Sequence, residues 1–284
     1  MNERMESPGG DIAQPGPSWP PETWISPTAL KNFNTCPYRV RLRYLEKVPE
    51  PHAFSLNLSK GRIAHDLLAM SAKRIAGDLP DQEEDWFYQQ AYRRLPRSEF
   101  PSDEAHVGNA RDIARWVCGG LRYLDRDAGF LRIEKGDHRE VPWQPEGTHL
   151  TLMTRPDLVL LRTGPEGEPF IEFIDYKTGK QRLDDIVPVV MRYAFTGYFK
   201  TLVPDTQSTR MQFTWLWLES GEINVTDLSL DYSISAWKGV RQNIELLMAE
   251  REWPAQPSHL CNYCPYNGNA CTAFDAMKGD SEPF

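Results

Sequence analysis

Two acidic residues and a lysine in the middle of the chain carry the clearest chemical signal. Asp157 closes Arg155-Pro156-Asp157, and Ile174-Asp175-Tyr176-Lys177-Thr178-Gly179 ends the apolar run Phe170-Ile171-Glu172-Phe173-Ile174. Side chains alternate along an extended strand, so Asp175 and Lys177 share one face while Tyr176 points away. Two carboxylates can hold a hard divalent cation such as Mg²⁺, which polarises a phosphate and lowers the pKa of a bound water. The lysine can orient that water or stabilise charge developing on phosphate oxygens. An Asp-x-Lys step is also what a solvated ion pair beside a turn looks like, worth at most about 1 kcal/mol. A buried strand that ends in charges favours the site.

The cysteines make a second constellation. Cys261, Cys264 and Cys271 fall within one short segment, and Cys36-Pro37-Tyr38 echoes Cys264-Pro265-Tyr266. A C-x2-C step lets two sulfurs grip one centre, and four thiolates suit either an iron–sulfur cluster or tetrahedral zinc. Loop thiols without a ligand are the remaining alternative. Cys36 as the fourth member would pin the N-terminal helix to the C-terminal loop. Cys118, in Trp116-Val117-Cys118-Gly119, reads as a structural thiol on an apolar helical face.

The elements that must position these groups follow from periodicity and turn residues. A hairpin carries Asp157 on its first strand with 158–161, turns through Thr163-Gly164-Pro165-Glu166-Gly167, and returns along 170–176. A helix is expected over 184–202, strands over 211–218 and 223–230, and an amphipathic helix over 232–251, stopped before Pro254. Upstream, Ser26 and Pro27 start a helix through Leu30, Phe33, Val40, Leu42 and Tyr44, broken at Pro37 and ended by Pro49. Further helices are expected from Lys60 through Ile63, Leu67, Leu68 and Met70, and over 81–94 and 104–125. This order gives an α/β layered core.

Arg155-Pro156-Asp157 with Ile174-Asp175-Tyr176-Lys177-Thr178-Gly179 resembles the PD-(D/E)XK nuclease superfamily, in the RecB-like branch that includes the CRISPR-associated exonucleases. The likeness extends to Gly61-Arg62-Ile63-Ala64-His65 and to Ser26-Pro27-Thr28-Ala29-Leu30 through Cys36-Pro37-Tyr38. It implies an α/β, restriction-endonuclease-like fold: a mixed central sheet flanked by helices, a helical N-terminal part and a C-terminal cysteine-cluster loop. It makes His65, Asp157, Asp175 and the backbone carbonyl of Tyr176 ligands for Mg²⁺ or Mn²⁺, and Lys177 the catalytic lysine. It implies a [4Fe–4S] cluster on Cys36, Cys261, Cys264 and Cys271, with Zn²⁺ the alternative. The branch carries Gln-x3-Tyr on the following helix. Here Tyr193 matches the tyrosine, Val189 stands in the glutamine position, and Arg192 is the substitute candidate for substrate contact. Without the likeness, His65 also reads as a structural histidine and Tyr193 as core packing.

The activity implied is a single-stranded DNA exonuclease, working on single-stranded DNA or single-stranded ends, with a helicase or CRISPR-adaptation-like protein as partner. The alternative is a catalytically weak nuclease-like subunit that binds DNA or a helicase.

Composition sets the outer bounds. The 284 residues are 40% hydrophobic and 25% charged, and no apolar run approaches the ~20 residues that span a bilayer. Residues 1–22, rich in Pro and Gly and without an apolar signal region, are expected to be a disordered tail on a cytoplasmic protein. Residues 23–284 are expected to form one nuclease domain: 23–135 mostly helical, 136–231 the catalytic sheet, 232–284 the last helix and cysteine cluster. The net charge of −8 argues against a general polyanion binder, although a local basic groove can coexist with an acidic remainder. Tyr38, Trp116, Tyr193, Trp215 and Trp217 could stack on bases or fill a core.

Overall fold

The Ser26 hydroxyl accepts a hydrogen bond from the Ala29 amide at 3.1 Å, with Pro27 in the first helical position. Together they start α1 (Pro27–Thr35), just after the short strand β1 (Trp24–Ile25). A proline drives the residue before it out of the helical region, and Cys36 is extended, at φ −161° and ψ 99°. The helix resumes as α2 (Pro37–Val40) and widens into a π-helical turn, Arg41–Leu45. The computed structural model describes residues 19–20, 23–51, 55–77, 79–80, 82–124, 129–133, 141–198 and 209–274.

Three helices follow: α3 (Leu56–Ala76), α4 (Glu84–Arg94) and α5 (Asp103–Tyr123). The first starts a turn earlier than expected, because the Ser55 hydroxyl caps the Leu58 amide. The expected ends at 81 and 125 lie outside the described residues. Then come β2 (Gly129–Ile133), β3 (Val141–Trp143), β4 (Thr151–Thr154), β5 (Leu158–Thr163) and β6 (Pro169–Lys177). The chain continues through α6 (Ile186–Tyr198), β7 (Arg210–Trp217), β8 (Glu222–Asp227) and α7 (Leu230–Ala249). The expected extension of α6 to 202 lies outside the described residues.

The strands form two mixed sheets, one ordered β1-β4-β3 and the other β2-β5-β6-β7-β8. The hairpin is present, with Leu158 opposite Ile174 and Gly167 taking φ 85° in its turn. The central strand, β6, lies antiparallel to β5 and parallel to β7, with α6 as the crossover. It has neighbours on both edges and helices over both faces, so every residue from Phe170 to Tyr176 is buried. Leu67, Leu68, Phe87 and Val117 pack on one face against Leu160 and Ile174. Phe173, Phe195 and Phe213 pack on the other. Leu30 of α1, Val189 of α6 and Ile244 of α7 meet Leu152 of the small sheet in a third cluster. The fold is thus mixed α/β with helices on both sides, as expected. The described part of 23–135, expected to be mostly helical, also carries the short strands β1 and β2.

The expected tail lies outside the described residues except for Trp19 and Pro20. Trp19 departs from it: the side chain is 3% exposed, with its ring 6.2 Å from Tyr44 and 6.1 Å from Trp253. An indole buries too much apolar area to stay in solvent when such a niche is in reach. Among the described residues no helix is long and apolar enough to cross a membrane.

Candidate active site

Asp157 sits on the bend one residue before β5, not on the strand. From there its carboxylate bridges two elements: Oδ1 lies 3.1 Å from His65 Nδ1 on α3, and Oδ2 accepts the Tyr176 amide of β6 at 2.7 Å. Alternation along β6 places Asp175 and Lys177 on one face, where they form an ion pair. Tyr176 turns to the other face and meets the His65 ring edge-on, centroids 5.7 Å apart. His65, Asp157, Asp175 and Lys177 therefore converge at one end of β6.

The helix reaches this place because of Gly61. A Cβ at that position would lie 2.8 Å from Thr178 Oγ1, so any other residue there requires the threonine side chain or the helix to shift. His65 follows one turn later, over the strand end.

Both carboxylates are buried, 7% exposed at Asp157 and 9% at Asp175. Burial alone would raise Asp157, but the His65 ring, Lys177 and the Tyr176 amide outweigh it and hold the group below the usual carboxylate range. Asp175 goes the other way: burial and the neighbouring Asp157 charge push its carboxyl up to about 6, against the pull of Lys177. Burial opposes the charge on Lys177, yet Asp175, Asp157 and Asp184 keep its pKa above the ordinary lysine value. The Asp157 charge raises Asp175, a repulsion that a divalent cation would relieve, and carboxylate oxygens beside an imidazole suit a hard ion. As they stand, no three His, Cys, Asp or Glu side chains among the described residues are drawn close enough to clasp an ion. Asp157 is turned to His65 and Asp175 to Lys177.

The four cysteines of the second constellation line one cavity with Tyr38, Arg39 and Leu42. The Cys271 thiol is pushed up first by burial and then by Cys36, Cys264 and Cys261, so all four thiols lie within electrostatic reach. The repeated Cys-Pro-Tyr step acts through backbone geometry, since Cys264 is extended before Pro265 as Cys36 is before Pro37. Cys118 lies elsewhere, on α5, half-buried and with its pKa raised. The four thiols line this pocket without disulfides, and the same spacing limit holds for them: among the described residues no three stand close enough to hold one ion.

With this geometry in view, the family model of the PD-(D/E)XK nuclease superfamily matches residues 24–271. The chain belongs to the PD-(D/E)XK nuclease superfamily. Membership makes it a metal-dependent nuclease in general terms. A comparison with curated proteins finds no match.

Other expected site residues fall apart from this cluster. Arg192 is 6% exposed and lines a pocket with Arg210 and Asp227. Arg210 pairs in register with Phe170, at the opposite end of β6 from Lys177. Tyr193 stacks on Trp143 at 5.3 Å and 14°, and Val189 is wholly buried in the apolar cluster shared with α1. Neither the tyrosine nor the glutamine position of the likeness opens onto the carboxylates.

The aromatic candidates are mostly structural as well. Trp215 and Trp217 are 2% and 3% exposed, and Lys60 Nζ covers Trp116 at 4.5 Å. Tyr38 donates to the Ala270 carbonyl at 3.4 Å, tying α2 to the cysteine loop.

Two acidic residues escaped the sequence reading. Asp184 accepts the Val187 amide at 3.0 Å at the start of α6, pairs with Lys31 at 2.7 Å, and adds to the field on Lys177. Glu172 is fully buried and accepts from Arg162, Tyr123, Thr214 and Gln212. A charge inside an apolar strand was the available signal for it.

Proposed function

We propose that this chain is a deoxyribonuclease that degrades single-stranded DNA, or DNA with single-stranded ends, as an exonuclease. The observation that carries the reading is the meeting of His65, Asp157, Asp175 and Lys177 at the end of β6. In it His65, Asp157, Asp175 and the Tyr176 carbonyl hold Mg²⁺ or Mn²⁺, and residues 23–284 act as one nuclease domain. Such an ion polarises the scissile phosphate and lowers the pKa of its water. The chain's own groups do the rest. The Tyr176 amide anchors the Asp157 carboxylate to β6, and the contact between Asp157 and His65 would open for both side chains to take the ion. Lys177 keeps its proton, because three carboxylates sustain its charge, and it offers N–H donors to a phosphate oxygen. Burial of both aspartates excludes water that would otherwise screen these charges.

The second part of the proposal assigns a [4Fe–4S] cluster, rather than Zn²⁺, to Cys36, Cys261, Cys264 and Cys271, in a protein of the reducing cytoplasm. It would clamp the N-terminal helices to the C-terminal loop. The likeness to the CRISPR-associated branch supports it, as does the shared cavity. That likeness also points to a helicase or adaptation-like partner.

Two measurements test the proposal. Digestion of end-labelled single-stranded DNA with Mg²⁺ or Mn²⁺ is expected to release short products progressively from an end, whereas internal fragments would contradict the exonuclease assignment. Anaerobic purification is expected to give a brown protein with about four irons per chain, and stoichiometric zinc would contradict the cluster. The apolar burial of Val189 favours a second reading, a DNA-binding subunit of weak activity, which would bind DNA tightly and leave it intact.

A further inference from the structure

A groove runs beside the carboxylate centre, between the first turns of α3 and the end of β6. Asn57, Leu58, Arg62 and His65 line one wall, and Lys177 and Thr178 the other. Its floor is the contact of Gly61 with Thr178. Because His65 and Lys177 belong to both, the groove opens directly onto the proposed catalytic centre.

Two polar groups in this groove, on Arg62 and Thr178, are unspent among the described residues. Arg62 is exposed, and among the described residues it makes no ion pair or hydrogen bond. The Thr178 hydroxyl likewise has no partner among them. Asp66, also in the groove, lies 3.8 Å from Arg94. The Arg62 guanidinium is therefore available to an anion, unlike those of Arg41, Arg43, Arg97 and Arg241, which pair with carboxylates. The loop after Thr178 continues the same sign, with Lys180 and Arg182 both exposed.

We propose that this groove is a phosphate-binding subsite for one polynucleotide strand, with Arg62 and the Thr178 hydroxyl as donors to the phosphate next to the one cut. Arg62 stands three residues before His65, about 4.5 Å along the helix. A guanidinium suits the planar pair of phosphate oxygens, and a hydroxyl opposite can complete the grip. The subsite rests on the nuclease reading for its ligand and goes beyond it by naming where the strand lies.

The test measures binding of a fluorescent oligo-dT to the full chain in EDTA, across a salt series, alongside cleavage in Mg²⁺. Arg62→Gln is expected to weaken binding about 10-fold, the scale of a charged hydrogen bond. It should also reduce the slope of log K against log salt by about 0.7, the share of one phosphate on a single strand. Arg62→Lys should restore the slope, and Thr178→Val should weaken binding without changing it. Arg241→Gln, which removes an equal charge on α7, should change neither. If the wild type binds and cuts while Arg62→Gln keeps its affinity and slope, the subsite is wrong and the nuclease reading stands. Arg62-dependent binding without cleavage supports the subsite and overturns the nuclease reading. A wild type that neither binds nor cuts overturns both.

Discussion

Gly61 shows how much one residue can decide at this site. Alanine normally stabilises a helix interior by about 1 kcal/mol over glycine, yet here its methyl would meet Thr178 Oγ1 at 2.8 Å. The two effects oppose one another in stability but not in function. Gly61→Ala is expected to leave the melting temperature within a few degrees of the wild type, and to lower the cleavage rate at least 10-fold. The reason is that displacements near 1 Å at a catalytic centre cost on the order of 10²-fold. Melting curves and initial rates on the same preparation check this, and an unaltered rate would show that α3 has slack against β6. Asp157 is equally placed between elements, since its two oxygens serve His65 and the Tyr176 amide.

At the scale of elements, β6 carries both the reactive end and the most demanding polar group of the interior. Glu172 has no solvent exposure and is paired with Arg162, itself largely covered. Removing one partner of a buried pair leaves an uncompensated charge, at a cost of about 3–5 kcal/mol. Glu172→Ala is therefore expected to lower unfolding stability by that amount in urea titration, and Ser26→Ala, at the cap of α1, by only about 1 kcal/mol. Equal losses would contradict the burial argument. Tyr123, whose hydroxyl donates to Glu172, has its pKa pushed up to about 12 by burial and by that carboxylate. It ties the end of α5 to the sheet.

Elements of this kind were unevenly legible in the sequence. The hairpin, α6, β7, β8 and α7 follow from alternation, turn residues and helical spacing, because each is long enough to show a period. Strands β1 and β3 have two and three residues, too few for any period, and β2 pairs with a register shift between Phe130 and Arg132. Ser26, Ser55, Ser102 and Ser229 all cap helices, but only Ser26 is followed by the proline that makes such a start conspicuous. The site was legible as residue types. Asp175 and Lys177 share a face by period two alone, whereas the reach of His65 and Asp184 to it depends on packing between elements far apart in sequence. Arg192 was misplaced for the same reason: spacing assigns a turn of α6, not which end of the sheet its side chain faces.

Taken as a whole molecule, the chain carries its two chemical constellations on different parts of the fold. The carboxylates sit at the end of β6, and the cysteines join α2 to the segment after α7. Losses at one are thus expected to be separable from losses at the other. Cys264→Ser should abolish iron incorporation and lower thermal stability, while Cys118→Ser, on α5, should keep full iron; equal iron in both would remove the cluster from these residues. Asp175→Ala should keep full iron and lose cleavage.

The most direct measurement is the initial rate of single-stranded DNA hydrolysis in Mg²⁺ for the wild type, Asp175→Ala and Lys177→Ala, each checked for folding, with EDTA as control. The expected result is cleavage by the wild type alone, abolished by EDTA, with each substitution lowering the rate by about 10² to 10⁴. Cleavage at the wild-type rate in either variant would contradict the assignment of this centre.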